Sequence, residues 1–246
     1  MAIKKTLLGI VQDILSDMDS EDVDSVTDTL EAVQVARIVE STYYNIVATR
    51  DIPEHSELIK LTALSNSATP THFSYPENTK RIEHIWYDTS DTGVFEYTEV
   101  KWMDPIKFIC RQDGLADNYT TVSDLNGGTK LRVANDTHPQ YFTSFDDNYI
   151  VMDGHKSTVD TTLQESKVRA FGSVIPVFDI NDDNYVPDLD GVMFPYLIAE
   201  AKSTCFSVLK GGVDQKIEQA ARRQKAYVQN DMYQTRRERA LSTYGR

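Results

Sequence analysis

Two helical patterns meet at a pair of glycines near the carboxyl end of the chain, and this junction constrains the fold more than any other feature. From Phe194 onward, apolar residues recur every three or four positions, which predicts an amphipathic helix with one apolar face. Gly211 and Gly212 are the residue type that ends such a helix, and Asp214 favours a new helix start. The second helix is predicted to run to about Asp231.

The amino-terminal part of the chain contains two further helical patterns. Apolar residues at helical spacing predict one helix within Ile3–Met18 and another over about Asp24–Arg50. An acidic run, Asp17–Asp24, lies between them and is expected to be solvated. Pro53 stops the second helix, because proline lacks the N–H group that a helix interior requires.

Strand patterns replace the helical ones from about residue 55 to residue 190. Short alternating or apolar runs separated by turn residues are typical of an antiparallel β region. One short helix interrupts it, with Asp104 as its cap and Pro105 at its first position. The candidate strands are Arg81–Tyr87, Val94–Trp102, Lys130–Ala134, Gln140–Ser144, Tyr149–Met152, Ser157–Leu163 and Val168–Phe178.

Together these patterns predict an α+β fold in which the amino- and carboxyl-terminal helices pack as one helical body with an inserted antiparallel β domain. The chain has 246 residues, 40% of them hydrophobic, so it can bury a substantial core. The predicted parts are an amino-terminal helical region (1–54), a β-rich insertion domain (55–190), a carboxyl-terminal helical region packing with the first helices (191–235), and an extended basic tail (236–246).

The charge of the chain is strongly acidic but uneven. A net charge of −13 argues against an autonomous nucleic-acid binder, because phosphate binding requires local positive charge. Basic residues nevertheless concentrate after Lys210. Cys110 and Cys205 have neither disulfide nor metal spacing and are expected to be reduced core thiols. With no signal peptide and no run of roughly 20 apolar residues, the chain is expected to be soluble.

One carboxylate pattern has the spacing of an enzyme site. Pro187-Asp188 followed by Glu200-Ala201-Lys202 matches the PD…(D/E)xK pattern of nucleases, in which two carboxylates hold Mg²⁺ and the lysine supports an attacking water. On a helix, however, positions i and i+2 point roughly 200° apart. A surface helix is therefore the preferred interpretation, and a Mg²⁺-dependent nuclease remains the alternative function.

A second acidic pattern, Asp179–Asp190, has oxygen ligands at the Ca²⁺-loop positions one, three, five and twelve. It lacks an entering helix, and Asn184 stands where such a loop has glycine. An acidic connection is the simpler interpretation, and a Ca²⁺-binding module is a third alternative. No cofactor is expected. The histidines have no ligand spacing and are expected to be structural or exposed: His55, His72, His84, His138 and His155.

Tyrosines alternate with basic residues toward the carboxyl end. Tyrosine and arginine are common anchors of protein interfaces. Beyond Gln234 the chain has few aliphatic residues, so it is expected to order against a partner. The candidate partner-binding residues are Arg222, Arg223, Lys225, Tyr227, Tyr233, Arg236, Arg237, Arg239 and Tyr244.

Several segments, taken in order, are similar to one protein family. They read TLEAVQVARIVESTYYNIVATRDIP, YFTSFDDNYIVMDG, VDTTLQESK, FPYLIAEAKSTCFSVLK and KIEQAARRQKAYVQND. This succession resembles bacteriophage head-to-tail adaptor, or connector, proteins of the tail tubular protein A-like family. The resemblance spans most of the chain and rests on the order of the segments rather than on one chemical motif.

The resemblance implies a non-enzymatic structural virion protein, assembled in the host cytoplasm and located at the head–tail junction. It implies a ring of twelve copies beneath the portal protein, with the tail nozzle or tail tube protein on the other side and DNA passing through the lumen. The carboxyl-terminal segment would attach to the portal. Tail fibres are a further candidate partner, and no membrane partner is implied.

The uneven charge agrees with that expectation. A ring that DNA traverses should not hold phosphate groups, so an acidic lumen is favourable. We therefore expect the acidic residues of Asp17–Asp24 or Asp179–Asp190 to face the channel or a subunit boundary. The basic carboxyl-terminal segment would favour an acidic portal surface.

Overall fold

Helix α1 spans Leu7–Asp17 in the computed structural model and confirms the first predicted helix. Thr6 Oγ1 accepts a hydrogen bond from the Gly9 N–H at 3.2 Å, which caps the helix start. The apolar face is buried, as its spacing predicts. The residues that the structure describes are 4–64, 69–90, 96–112, 119–125, 128–156, 166–212 and 214–242, the side chains of 112 and of 230–242 excepted.

Helix α2 spans Leu30–Thr49 and begins later than the sequence predicts. Thr29 caps it through its side chain. Just before the cap, the Asp28 carboxylate accepts the N–H groups of Asp24 at 2.8 Å and Ser25 at 2.7 Å. Side-chain acceptors of this kind compete with helical hydrogen bonding. The prediction of a helix from Asp24 is therefore wrong for its first turns.

The strands of the β region are short, and several were not predicted. Strands β1, β2, β3, β6 and β10 are two to five residues long, a window too short for alternation to be recognised. The bounds of all the described strands are β1 Ser56–Ile59, β2 Thr62–Ala63, β3 His72–Ser74, β4 Thr79–Asp88, β5 Tyr97–Trp102, β6 Tyr119–Ser123, β7 Lys130–Asn135, β8 Tyr141–Thr143, β9 Tyr149–Met152, β10 Gly154–His155 and β11 Val168–Val174.

Strand β11 ends at Val174 rather than at Phe178, because Pro176 has no N–H to contribute to a ladder. The predicted strand Ser157–Leu163 lies outside the described residues.

Strand pairing is mixed rather than purely antiparallel. An eight-stranded sheet has the order β1-β11-β4-β5-β8-β9-β3-β2, and a three-stranded sheet has the order β10-β7-β6. Most neighbours are antiparallel, but β5 pairs with β8 in parallel, and β10 pairs with β7 in parallel. The expectation of an antiparallel β domain is wrong at these two places. In each case a long stretch of chain separates the partners, which permits a parallel crossover.

The eight-stranded sheet curls until its two ends approach each other. Strands β1 and β2 are at opposite ends of the strand order, yet only Lys60 and Leu61 lie between them in sequence. So short a connection spans roughly 10 Å at most. The curl encloses an apolar cluster in which Phe73, Ile85 and Ile150 are at most 2% exposed.

Helix α3 spans Pro105–Gln112 and begins as predicted, because Asp104 Oδ1 accepts the backbone N–H two residues on at 3.0 Å. Phe108 is 1% exposed and packs in a second apolar cluster with strands β6 and β7. Cys110 is on the solvent side of this helix and is exposed. The expectation of two core thiols is therefore wrong for Cys110 and confirmed for the buried Cys205.

The predicted carboxyl-terminal helix pair is present. Helix α4 spans Met193–Leu209, and Asp190 Oδ1 accepts the N–H groups of Val192 at 2.9 Å and Met193 at 2.6 Å. Gly211 then adopts a φ of +66°, a conformation that favours glycine. The glycine pair thus ends the helix as the sequence predicts.

Helix α5 spans Gln215–Ser242 and is longer than predicted. Asp214 Oδ1 accepts the Lys216 N–H at 2.8 Å at its start. Residues 236–242, expected to be part of an extended tail, are helical. Their long polar side chains have high intrinsic helix propensity, which outweighs the lack of aliphatic residues.

The chain divides into two compact units. The helical unit contains the described residues up to Glu54 and from Pro176 onward, and the β unit contains His55–Ile175. Residues 176–190, predicted to belong to the β domain, are in the helical unit. Tyr185 O accepts the Leu7 N–H at 2.7 Å, and Asp183 Oδ1 accepts the Val26 N–H at 2.8 Å. Because the described residues form both α-helices and β-sheets, the fold is a mixed α+β fold.

Candidate interaction surfaces

Helix α5 carries all the predicted partner-binding residues whose side chains the structure describes. Arg222, Arg223 and Lys225 are exposed, and we call them the basic segment. Tyr227 is 61% exposed two residues later. Among the remaining predicted residues, the backbone of Tyr233, Arg236, Arg237 and Arg239 is within α5 while their side chains are not described, and Tyr244 lies outside the described residues.

The opposite side of α5 is buried. Ala221 and Val228 are 3% and 1% exposed, and Ile217 and Gln224 are half-buried. These four positions are spaced by three or four residues, so they form one stripe along the helix. The basic segment lies off this stripe. Burial of the stripe therefore orients the basic side chains toward solvent.

Helices α4 and α5 enclose an apolar groove between them. The short connection after Leu209 makes the two helices antiparallel. The groove has a volume of about 510 Å³, and Phe194, Ile198, Ile217 and Ala220 are among its lining residues. Sequence analysis did not identify it. The available signal was a pair of alanines, Ala199 and Ala220, whose small side chains leave space between the helices.

Helix α5 is also much longer than its neighbour. Helix α4 has 17 residues, whereas α5 has 28. At 1.5 Å per residue, α5 extends past α4 by roughly 16 Å. The residues on this extension include Arg236, Arg237 and Arg239. A helix that projects past its neighbour in this way is suited to contact with another molecule.

The last residue of α1 and the connection that follows it form an acidic loop, residues 17–28. Its exposed carboxylates are Asp17, Asp19, Glu21, Asp22, Asp24 and Asp28, as the prediction of a solvated run requires. Val23 and Val26, at 4% and 1% exposure, hold the loop against the helical unit. Lys202 of α4 forms an ion pair with Asp17, and Lys210 Nζ donates to Ser20 Oγ at 3.4 Å.

The nuclease alternative finds no support in this geometry. Glu200 and Lys202 are both on α4, where alternate residues point in nearly opposite directions. Lys202 forms an ion pair with Asp17, and Asp188 is exposed. Within the described ranges, no group of three or more histidine, cysteine or acidic side chains is placed to hold a metal ion.

The structure does not support the Ca²⁺-loop alternative either. Asp179, Asp182 and Asp190 each accept a backbone hydrogen bond from a nearby residue, and Asp183 accepts one from the distant Val26. Asp179 Oδ1 accepts the Asn181 N–H, and Asp182 Oδ1 accepts the Asn184 N–H, each at 2.9 Å. The segment is preceded by β11 and Pro176 rather than by a helix. Its described geometry is that of a connection made of successive turns.

Electrostatic effects at the buried groups do not indicate catalysis. Burial raises the pKa of the Cys205 thiol to about 12, so the thiol stays protonated and unreactive near neutral pH. Three histidines are buried, His55, His72 and His155, while His138 is exposed and the side chain of His84 is half-exposed. These placements agree with the prediction that the histidines are structural or exposed.

Leu30 and Val208 are among the exposed apolar residues of the helical unit. Leu30, the first residue of α2, is 76% exposed, and Val208, near the end of α4, is 65% exposed. Val208 continues the apolar spacing that predicts α4, yet the structure leaves it outside the buried face of that helix. The stripe turns away from the core in the last turn of the helix, where the chain approaches Gly211.

Among the described residues, no helix combines the length and the apolar character that a membrane span requires. Comparison with known proteins finds no family model that matches the chain and no match among curated proteins.

Proposed function

We propose that this protein is a structural head-to-tail adaptor of a tailed-phage virion, which forms a ring between the portal and the tail nozzle and lets DNA pass. The observation on which the proposal rests is α5, a long helix that carries the basic segment on its exposed side and extends past α4. The resemblance of successive segments to connector proteins supports the same function. No enzymatic step is part of the proposal.

The proposal includes a finer view of the fold, in which a helical body built from both chain ends carries the β domain as an insertion. Contacts of residues 176–190 support it. Tyr44 Oη accepts the Phe178 N–H at 3.1 Å, and Asp183 O accepts the Leu8 N–H at 3.2 Å. A body tied together in this way can hold α5 in a fixed direction while the β domain contacts other components.

Portal attachment is proposed to be electrostatic in its early stage. Arg222, Arg223 and Lys225 would face an acidic portal surface, and Tyr227 would provide an apolar anchor nearby. Exposed charge pairs add little to affinity individually, but complementary fields accelerate association and align the partners. The contact should therefore weaken as salt concentration rises.

The acidic loop is proposed to face the DNA channel or the boundary between ring subunits. Its carboxylates would repel phosphate and keep DNA from adhering during passage. Asp179–Asp190 is the second candidate for this position. A ring structure that placed both acidic segments on the outer rim would contradict this part of the proposal.

The test is binding to a portal ring from the same phage, measured by mass photometry with the full chain and with a chain truncated after Gln229. A charge-reversal variant, R222E/R223E/K225E, tests the basic segment. The matched control is K101E/K107E/K130E, which makes the same charge change at exposed positions of the β unit. The full chain and the control are expected to add as a ring.

We expect the charge-reversal variant to bind at least about tenfold more weakly at low salt, with a smaller salt dependence than the full chain. The truncated chain should not form a stable complex. Equal binding by the charge-reversal variant and the control would contradict portal attachment through the basic segment. Absence of binding by the full chain would contradict the adaptor function itself.

A further inference from the structure

The eight-stranded sheet of the β unit opens where β5 changes its partner. Strand β5 pairs with β4 over Tyr97–Val100, and then with β8 at Lys101 and Trp102. A cleft of about 900 Å³ lies here, lined by the first half of β4 and by the β8–β9 hairpin. Ligand-binding clefts typically have roughly 300–1,000 Å³, and the open end of a curled sheet is a common place for them.

The floor of the cleft is part of the apolar core. Phe142 and Ile150, at 7% and 2% exposure, line it, and Ile82 and Tyr75 pack against the same core cluster. The Tyr75 hydroxyl donates a hydrogen bond to the Asp147 carbonyl, which ties the floor to one wall. A ligand in this cleft would thus rest on a well-packed surface.

Trp102 lies at the cleft and is 61% exposed. The side chain opposite it in the parallel pairing, Phe142, is buried in the core. Trp102 is therefore next to the core without being covered by it. An indole in this position can pack its face against the apolar side of a bound molecule.

The loop that forms one wall is held rigid by its own side chains. Ser144 Oγ donates to the Tyr149 carbonyl at 2.7 Å and accepts the Asp147 N–H at 3.0 Å. Asp146 Oδ1 accepts the Asn148 N–H at 3.0 Å. Asp147 adopts a φ of +58°, an uncommon conformation for a residue other than glycine. Such a preorganised wall loses little conformational entropy when a ligand binds.

Polar groups are arranged above the apolar floor. Asp147 and Asn148 are exposed at the tip of the loop, and Glu77 is exposed on the facing turn. Lys80 and Arg81 also line the cleft. Together with Asp146, the carboxylates of Glu77 and Asp147 outnumber these two cations. This excess of negative charge disfavours a polyanionic ligand such as nucleic acid.

We propose that this cleft binds a neutral oligosaccharide. A sugar ring has an apolar face of C–H groups, which suits Trp102, and hydroxyl groups that both donate and accept hydrogen bonds. The Asp147 carboxylate accepts such bonds, and the Asn148 amide both donates and accepts them. A site with an apolar surface and a few convergent polar groups matches this chemistry. The proposal does not depend on the adaptor function.

The test uses the tryptophan fluorescence of the full chain. The sequence contains two tryptophans, so the variant Trp86→Phe leaves Trp102 as the sole indole. Maltohexaose, cellohexaose and chitohexaose are the probes. We expect at least one to produce a saturable change in emission, and calorimetry of the unmodified protein to give the same dissociation constant.

Trp102→Ala should weaken this dissociation constant by at least about tenfold. The matched control is Tyr97→Ala, which removes an exposed aromatic ring from the same strand at a position that does not line the cleft. It should retain binding within about twofold. Circular dichroism should show that both variants are folded, as expected for exposed positions.

Three results would overturn the proposal. The first is the absence of a response to all three hexasaccharides at millimolar concentration. The second is undiminished sugar binding in Trp102→Ala, which would place the site elsewhere. The third is a response to an uncharged, unstructured peptide but to none of the sugars, which would assign the cleft to a segment of a partner protein.

Discussion

Gly172 occupies a point in the β unit where two backbones approach too closely for any side chain. The register between β11 and β4 shifts between Phe171 and Gly172. A Cβ atom at position 172 would lie 2.1 Å from Arg81 O and 2.9 Å from Ile82 Cα. Both are backbone atoms of a paired strand and cannot yield locally. Gly172→Ala should therefore destabilise the β unit by about 3 kcal/mol or more.

Urea unfolding followed by tryptophan emission measures this change, because both tryptophans, Trp86 and Trp102, belong to the β unit. Gly212→Ala is the control. No neighbouring heavy atom lies within 4 Å of a Cβ built there, so its midpoint by circular dichroism should stay nearly unchanged. A loss below about 1 kcal/mol in Gly172→Ala would mean that β11 and β4 separate easily.

At the level of elements, the connection 176–190 contributes to the helical unit through a side-chain acceptor. Asp183 Oδ1 accepts the N–H of Val26, a residue that is 1% exposed. Removing the carboxylate leaves a poorly solvated N–H without its charged partner. Asp183→Ala should therefore destabilise the helical unit by about 2 kcal/mol, measured by urea unfolding at 222 nm.

Asp182→Ala provides the comparison for this prediction. Asp182 is exposed, and its carboxylate accepts only a local hydrogen bond from the Asn184 N–H among those described. Its loss should cost about 0.5 kcal/mol or less. Equal losses of unfolding free energy in the two variants would show that the hydrogen bond between Asp183 and Val26 contributes no more to stability than a local one.

Helices were predictable from the sequence wherever local chemistry determined them. Apolar spacing predicted α1, α2 and α4, and the caps Asp104 and Asp214 are placed as expected. The start of α2 was misplaced because Asp28 acts on residues that precede the helix. The end of α5 was misplaced because scarcity of aliphatic residues was interpreted as an extended tail, although helix propensity remained high.

Non-local features were much less predictable. No local pattern indicates that β5 leaves β4 to pair with β8, or that β1 and β2 complete the two ends of a curled sheet. Residues 176–190 have no periodicity, and the carboxylate of Asp183 among them accepts the N–H of the distant Val26. For the candidate surfaces, the exposed basic residues could be identified from sequence, whereas the groove and the cleft exist only through tertiary pairing.

Across the whole molecule, histidines are distributed very unevenly. All five occur between His55 and His155, so each belongs to the β unit and none to the helical unit. Burial lowers the pKa of His72, although Asp124 and Asp146 oppose the shift. Burial also lowers the pKa of His155, with Asp136 opposing. The two units should therefore respond differently to mild acid.

The direction in which the stability of the β unit changes with pH follows from proton binding. A histidine with a lowered pKa binds fewer protons when folded than when unfolded, so protonation stabilises the unfolded state relative to the folded state as the pH falls below about 6.5. Stability is fully present above that value and is lost as the pH falls toward the lowered pKa. Burial raises the pKa of Asp153, which acts in the opposite sense through a carboxylate. The histidine contribution should dominate at the upper end of this range.

We expect acidification from pH 7.5 to 5.5 to lower the melting temperature of the β unit, detected by tryptophan emission, and to leave the helical transition at 222 nm nearly unchanged. His72 and His155 should each contribute up to about 1.4 kcal/mol per pH unit within the window of its lowered pKa. His155→Gln should reduce this dependence, whereas His138→Gln, at an exposed position, should not. If both transitions shifted together, the two units would unfold as one cooperative unit. The prediction that their stabilities depend differently on pH would then be wrong.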